Sequence, residues 1–305
     1  MAFYRADEYS AREISRMKVS GFTFVRNAVK FDYPVVEAIT SILPICDEFI
    51  VSIGNSDDET EKLIKAIDSD KIKIHHTVWN DELREGGRVL AAETDKAFAK
   101  VSTESDWAFY VQADEIVHEK YLDSIVAAMK KYRHNQQVEG LLFKYKHFYG
   151  SYDYIGDSRR WYRREIRVIR NDKQINSHGD AQGFRRNGEK LKVKLIDAFI
   201  YHYGWVKHPK YQQAKQRTFN KYWHDDQWVD DHFPDVSEFD YSHIDALTKF
   251  TESHPKVIRP RVGAMNWKFS YDPTAMPVPL RHRISNFIEK YTGLRLGEYR
   301  NYKLI

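Results

Sequence analysis

The sequence predicts an α/β fold: a doubly wound, mostly parallel sheet, an antiparallel second part and a mainly helical C-terminal extension. Three observations predict it. In the first 150 residues, short apolar runs alternate with amphipathic helical patterns, as in strand–helix–strand units with right-handed crossovers. After residue 138 the pattern changes to longer strand-like segments. From about Pro209 the chain becomes polar and aromatic, which indicates helix and loop.

The strands and helices of the first half follow one another along the chain. "VSGFTFVRN" predicts the first strand, and "DYPVVEAITSIL" predicts a helix with Asp32 as its cap and Pro34 near its first position. "DEFIVSIG" is the second strand, and Ser56 with Glu59 forms a capping box for the helix after it. "KIKIHHTVW" and "DWAFYVQA" are the third and fourth strands. Each of these is followed by a helix, "GGRVLAAETDKAFAKV" and "EKYLDSIVAAMKKY" respectively.

The second half begins with three longer strand-like segments, "VEGLLFKYKHFY", "REIRVIR" and "LKVKLIDAFIYH". Their pattern favours partly antiparallel strands. Near the C-terminus, "LRHRISNFIEKYTGL" at residues 280–294 predicts a basic amphipathic helix. We expect this helix to be a packing or oligomer element, and peripheral contact with a membrane surface is the alternative.

Composition and charge exclude several classes of protein. The 305 residues are 42% hydrophobic and 30% charged, as is usual for a soluble globular protein. A net charge of +4 is too small for a dedicated nucleic-acid binder, but it suits an anionic substrate or membrane surface. The single Cys46 excludes an intrachain disulfide and indicates a reducing compartment. The first 21 residues contain no apolar signal-peptide region, so we expect a cytoplasmic protein.

Two adjacent carboxylates, Asp114 and Glu115, follow the fourth strand. In an open parallel sheet, ligands lie beyond the carboxyl ends of the strands, so these acids should meet the loops at 26–27 and 55–58. Adjacent carboxylates repel each other unless a cation offsets them, and a divalent ion would also bridge to phosphate. The alternative is that Asp114 caps the next helix and Glu115 lies in its first turn. Both can hold at once.

The chain resembles the family-two glycosyltransferases of the GT-A fold. The resemblance is carried by "GFTFVRNAVKFDYPVVEAITSIL", "CDEFIVSIGNSDDETEKLI" and "FYVQADEIVHEKYL", and it runs from about Val19 to Lys207. It implies transfer of a sugar from a nucleotide-diphosphate donor to an acceptor hydroxyl of a cell-surface glycan or lipid. The family's reaction is metal-assisted, with Mn or Mg, and inverting. A role in polysaccharide biosynthesis, at the inner face of the membrane if the protein contacts it, fits this activity.

The family's metal ligands map onto two positions of this sequence. An acidic D-x-D segment after the fourth strand holds the ion on the diphosphate, and here it reads Gln112-Ala113-Asp114. Asp114 is therefore the implied metal ligand, whereas Gln112 is a poor cation ligand that can hydrogen-bond a ribose or sugar hydroxyl. His202, in "YHYGWVKHP", resembles the C-terminal histidine that completes the metal or diphosphate site. The alternative for His202 is a hydrogen-bonded histidine in a β-turn.

The donor-binding residues depart from the family pattern in one place. Acidic residues that recognise the base usually precede the turn after the second strand, but Ile53-Gly54 stands there. Asn55 or Asp58 can substitute, or neither does. Further nucleotide contacts implied are Arg26 and Asn27 after the first strand, for which a surface loop is the alternative.

Arg88 begins a helix after two glycines, where backbone donors and a guanidinium together make an anion site. A simple turn is the alternative for these glycines. The run "RRWYRREIR" places five arginines among aromatic residues from Arg159 to Arg167. It suggests a site for an anionic acceptor, and a solvated strand face is its alternative.

Sugar transfer also needs a base for the acceptor hydroxyl. Asp180, in "NSHGDAQGF", lies where the family places an acidic base, and Glu115 is the second choice. An Asx-turn is the alternative role of Asp180.

The resemblance implies a glycosyltransferase domain at residues 1–208, with a nucleotide-sugar half at about 19–118 and an acceptor half at about 119–208. Residues 209–305 are the extension. The expected partners are a nucleotide-sugar donor and a glycan or lipid-linked acceptor, with no nucleic acid. The competing function is a non-catalytic nucleotide- or carbohydrate-binding protein on a decayed scaffold, which Gln112 and Ile53-Gly54 favour.

Overall fold

Strands and helices alternate through the first half of the chain. The computed structural model describes residues 16–274, 276, 285, 289, 291–292, 295 and 297–305, so the first 15 residues and most of the predicted helix at 280–294 lie outside the described residues. The strands are β1 (Val19–Val25), β2 (Glu48–Ile53), β3 (Ile72–His76), β4 (Trp107–Tyr110), β5 (Glu115–Val117), β6 (Gly140–Tyr149), β7 (Tyr154–Gly156), β8 (Arg164–Arg170), β9 (Ile175–His178), β10 (Gly183–Arg186), β11 (Glu189–Lys190), β12 (Lys192–Trp205), β13 (Leu247–Lys249) and β14 (Lys303–Leu304). The helices are α1 (Val35–Ile42), α2 (Thr60–Lys65), α3 (Arg88–Ala99), α4 (Leu122–Tyr132), α5 (Pro209–Asn220), α6 (Asp226–His232) and α7 (Arg259–Gly263). Within the described ranges, none of the helices combines the length and apolar character needed to cross a bilayer.

One mixed sheet contains both halves of the fold. Its parallel part has the order β3-β2-β1-β4, and β8 and β6 continue it with antiparallel pairing. The long β12 lies parallel to β6 and antiparallel to the short β5, and β9, β10 and β11 form a separate antiparallel sheet. The predicted fold class, a doubly wound and mostly parallel sheet with an antiparallel second part, is confirmed. It is the architecture that the resemblance to GT-A enzymes implies.

The parallel strands β1, β2 and β4 are buried on both faces, which explains their apolar runs. β3, at the end of the sheet order, is only partly buried. On one face, α1 and α4 contribute Ile39 and Ile125 to a cluster that contains Phe49. On the other face, Phe98 of α3 packs in a cluster with Phe22 of β1. Both layers leave the carboxyl ends of the strands uncovered, because the helices run back along the sheet.

Two helix starts differ from the sequence prediction. The Ser56–Glu59 capping box is wrong: α2 begins at Thr60, whose N–H donates to the Asp58 carboxylate at 3.0 Å. Ser56 instead accepts a hydrogen bond from the backbone N–H of Asn27 at 3.0 Å. Loops from β1 and β2 therefore bind each other, a tertiary contact that competes with local capping.

Asp32 does not cap α1. It has a φ of 48°, and its carboxylate accepts a hydrogen bond from Arg261 at 2.6 Å. Pro34 takes the capping position instead.

Glu115 begins the strand β5 and not a helix, so its expected place in a first helical turn is wrong. The side chain is fully buried, and Arg167 donates to both of its carboxylate oxygens at 2.7 Å. The Tyr145 hydroxyl donates to the same carboxylate at 2.7 Å. A bidentate ion pair of this kind needs the extended backbone of β5 opposite β12, and this pairing overrides the dipole preference for acid at a helix start.

Removal of this buried ion pair should destabilise the fold. Glu115→Ala leaves the Arg167 charge buried without its partner, so we expect a loss of about 3–5 kcal/mol in the free energy of unfolding. Urea denaturation followed by circular dichroism measures it. The control is Asp197→Ala, which removes the exposed partner of Lys144 and should leave the midpoint nearly unchanged. Equal midpoints for the two variants would contradict this assignment.

Candidate active site

A cavity of about 790 Å³ opens beyond the carboxyl ends of β1 and β4. Parallel α/β sheets bind ligands at this position. The structure brings five of the sequence-predicted site residues into the cavity lining: Arg26, Gln112, Asp114, Asp180 and His202. The other predicted residues lie outside the lining: Asn27, Asn55, Asp58, Arg88 and Glu115.

Most of the residues outside the lining hold loops together. The Asn27 side chain accepts from the backbone N–H of Asp57 at 2.8 Å, and Asn55 accepts from that of Trp79 at 3.2 Å. Arg88 is exposed and pairs with Glu85 at 3.2 Å. These polar side chains therefore bind neighbouring loops or face solvent. Glu115 is bound by Arg167, so we do not assign it as a base.

Asp114 lies at the centre of the polar wall. Its backbone carbonyl accepts from Tyr203 N–H at 2.8 Å, which fixes the loop against β12. Its carboxylate accepts from the Lys215 ammonium at 3.1 Å, and its other oxygen lies 3.6 Å from His202 Nε2. Burial by itself would raise the pKa of Asp114, but the charges of Lys215 and His202 outweigh it and hold the pKa well below the ordinary value.

Gly204 makes this arrangement possible. A Cβ at this position would lie 2.6 Å from His202 Nε2 and 2.8 Å from the Asp114 carboxylate. The Gly204 carbonyl also accepts from Lys215 at 3.0 Å. The backbone of β12 therefore serves as one wall of the site, and a side chain here would fill the space between the histidine and the carboxylate.

His147 orients His202. The Nε2 of His147 lies 2.8 Å from the Tyr162 carbonyl, and its Nδ1 lies 2.9 Å from His202 Nδ1. Burial, followed by the neighbouring His202, holds the pKa of His147 well below the ordinary value, so this ring is neutral. Since a carbonyl can only accept, His147 carries its proton on Nε2 and accepts from His202 Nδ1–H. The Nε2 of His202 is thereby directed at Asp114.

Asp180 approaches the cavity from the loop between β9 and β10. It is half-buried, the Gln182 amide donates to its carboxylate at 3.0 Å, and burial, the largest influence, raises its pKa. Gly87, with a φ of 69°, lets this loop pack closely, because a Cβ there would lie 2.8 Å from Asp180 Cβ. Gln112 also bridges to the loop through the Ala181 carbonyl, at 3.4 Å.

Aromatic side chains contribute two parts of the cavity lining. Near Arg26 the wall consists of Phe24, Trp79, Tyr222 and Trp223. On the other side it consists of Tyr149, Trp161, Trp205 and Phe239. Flat aromatic walls are typical of sites for bases and sugar rings.

The arginine-rich segment serves mainly as structure. Of its five arginines, Arg160 lines the cavity and is exposed to solvent. Arg163 pairs with Glu298 at 2.9 Å, and Arg167 with Glu115. The predicted anionic-acceptor site is therefore reduced to one guanidinium at the cavity wall.

Sequence reasoning missed Lys215 and His147. Lys215 lies on α5, where Gln212, Gln213 and Gln216 are also buried. Four polar residues at helical spacing on a buried face were a usable signal, since a helix that only packs buries apolar residues. For His147 the sequence gives no such signal, because its role depends on the pairing of β6 with β12.

The residues at this site do not fit a resident divalent ion. Asp114 and His202 offer two donors, but one carboxylate oxygen already accepts from the Lys215 ammonium. Gln112 replaces the second acid. Among the residues that the structure describes, no group of three or more His, Cys, Asp and Glu side chains can hold a metal ion. An ammonium beside the carboxylate repels a second cation, so the expected Mn or Mg site lacks its charge balance here.

The chain is similar to several solved structures at low identity. S. aureus TarS 1–349 in complex with UDP is 15% identical, with 70% of this chain and 69% of that chain covered and a TM-score of 0.41. The 4-diphosphocytidyl-2C-methyl-D-erythritol synthase from Anaerococcus prevotii is 11% identical, with coverages of 51% and 72% and a TM-score of 0.34. Glucosyl-3-phosphoglycerate synthase from Mycobacterium tuberculosis, in complex with Mn²⁺, UDP and phosphoglyceric acid, is 20% identical, with 44% of each chain covered and a TM-score of 0.28. No family model and no curated protein matches. Likenesses of this size carry no argument about activity.

Substitution of Gly204 should disturb the site and the fold. In Gly204→Ala, the new methyl group forces His202 and Asp114 apart, so we expect a loss of about 1–3 kcal/mol in the free energy of unfolding. Gly263→Ala is the matched control, because a Cβ there meets nothing within 4 Å. It should be neutral or slightly stabilising. Urea denaturation of both variants measures this, and equal stabilities would contradict the proposed close approach.

Proposed function

We propose that this protein is a glycosyltransferase that moves a sugar from a nucleotide-diphosphate donor to an acceptor hydroxyl. One observation carries the proposal. The Lys215 ammonium, a cationic group that suits a diphosphate, lines the same cavity as the half-buried carboxylate Asp180. Aromatic walls suited to a base and to sugar rings surround them.

The donor would lie across the carboxyl ends of β1 and β4. Its base would occupy the side of Trp79, where the Arg26 guanidinium lies 5.6 Å from the ring centroid. Its diphosphate would lie near Lys215 and His202, where positive charge stabilises the departing phosphate oxygens. Gln112 lines the cavity, and its amide donates to the carbonyl of Ala181, the residue after Asp180. It would donate to or accept from a sugar or ribose hydroxyl.

Asp180 would act as the base in an inverting displacement. The acceptor oxygen forms a bond to the anomeric carbon, the bond from that carbon to the diphosphate oxygen breaks, and Asp180 takes the hydroxyl proton. A carboxylate with a raised pKa suits this step, because it takes a proton more readily than an ordinary carboxylate. Trp161 and Trp205 would provide the face on which an acceptor glycan or lipid-linked sugar stacks.

Turnover of nucleotide-sugars by the full chain tests this function. UDP-, GDP-, CDP- and dTDP-sugars are incubated with the protein, with EDTA or with manganese, and release of the nucleoside diphosphate is followed. Release from one donor, faster with an added glycan acceptor, is the expected result. Proton NMR of the anomeric centre then distinguishes inversion from retention. Tight binding without turnover would support the non-catalytic alternative, and absence of both would refute a donor site.

Loss of Asp180 should change the pH dependence of the reaction. The base is active when ionised, and burial raises its pKa above 3.8, so kcat/KM of the wild type should fall as the pH decreases through that raised value. Asp180→Asn should lower kcat by about 10²- to 10⁴-fold and remove this acid limb. Asp197→Asn changes an exposed carboxylate and should keep the wild-type kcat and the acid limb. An unchanged acid limb in Asp180→Asn would assign the base elsewhere.

A further inference from the structure

Lys215 places a fixed positive charge at the wall of the cavity. Its residue is only 7% exposed, yet it lines the cavity. Two fixed acceptors hold the ammonium: the Asp114 carboxylate at 3.1 Å and the Gly204 carbonyl at 3.0 Å. An ammonium has three N–H donors. In the part of the chain that the structure describes, these two acceptors leave one donor for a ligand in the cavity.

The neighbouring aromatic rings support the same orientation. The ammonium lies 5.0 Å from the Tyr33 ring centroid and 5.7 Å from that of Phe219. Both residues line the cavity. Cation–π contacts of this kind hold the ammonium against the two rings, so its position is set before any ligand arrives. A preorganised charge in a partly enclosed site stabilises an anion more strongly than a mobile surface lysine does.

Lys207, five residues after His202, offers a comparison. It is fully buried, donates to the Phe31 carbonyl at 2.8 Å and to the Asp32 carbonyl at 3.3 Å, and does not line the cavity. It therefore fastens the loop before α1. Lys215 differs because its partners include a carboxylate at the cavity wall and because the cavity reaches it.

We propose that Lys215 supplies the positive charge that holds the donor's diphosphate, in place of a divalent metal ion. This inference rests on the proposed function. The Asp114 carboxylate then positions the ammonium and is not a metal ligand. His202, directed by His147, completes the anion site next to it. Nucleoside diphosphate binding is consequently independent of metal.

Calorimetric titration of the full chain tests the inference. UDP, GDP, CDP, ADP and dTDP are each titrated in EDTA and in manganese chloride, and Mn²⁺ is also titrated alone. We expect one nucleotide to bind in EDTA with a Kd within about threefold of that in manganese, and no heat from Mn²⁺ alone. Lys215→Met should weaken this binding by about 10- to 100-fold, the loss of a hydrogen bond from a charged donor.

The control variant is Lys210→Met, which removes the same charge from an exposed position of the same helix. It should bind the nucleotide as the wild type does. Lys215→Arg keeps the charge and should recover part of the lost affinity. If Lys215→Met does not fold, manganese-dependent binding by the wild type would still overturn the inference, and the affinity of Lys215→Arg then tests the role of this residue.

The outcomes separate this inference from the function on which it rests. Binding that requires manganese would overturn the role of Lys215 and leave the glycosyltransferase proposal in place. Metal-free binding that survives in Lys215→Met would also overturn it. If no nucleotide bound under either condition, the donor site itself would be refuted, and Lys215 would remain a structural partner of Asp114.

Discussion

The buried ion pair between Glu115 and Arg167 determines where the site loop lies. Glu115 accepts two hydrogen bonds from Arg167, one from the Tyr145 hydroxyl and a fourth from the backbone N–H of Gln112, at 3.2 Å. The chain therefore turns back sharply after β4 and pairs as β5 with β12. A buried carboxylate without such partners would be costly, so the pair fixes the register that places His202 next to Asp114.

Two neighbouring acids lie on opposite sides of the chain. Asp114, in the turn before β5, reaches the cavity, whereas Glu115, the first residue of β5, lies in the interior. Each carboxylate has its own cation, Lys215 for the first and Arg167 for the second. The repulsion that a shared metal ion was expected to offset is thus removed by two separate ion pairs. Of these two acids, Asp114 lines the cavity and Glu115 does not.

The helix α5 connects the fold to the cavity. It begins at Pro209, just beyond the predicted boundary at residue 208, and its buried face is polar. Such a face cannot be explained by apolar packing, because burial of polar side chains is unfavourable unless they have partners. Two residues of this face, Lys215 and Gln216, line the cavity. Lys215 is bound to Asp114 in the loop after β4, and Gln213 donates to the Pro234 carbonyl at 2.8 Å.

The sequence by itself determined the fold class, the four parallel strands and the approximate bounds of their helices, because strand and helix periods are local properties of the chain. It also placed Arg26, Gln112 and Asp114 at a common edge, since loops after parallel strands meet there. Asp180 and His202 were assigned to the site from the family resemblance instead. Only the tertiary structure decided what these residues contact. The partners of Asp114 and Glu115, Lys215 and Arg167, lie 101 and 52 residues away in the chain, and no local pattern encodes which distant cation reaches which carboxylate. The same reason explains why Arg88, Asn55 and Asp58 were assigned to the donor site although they lie outside the cavity: the sequence gives a residue's neighbours along the chain, and the sheet register gives its neighbours in space.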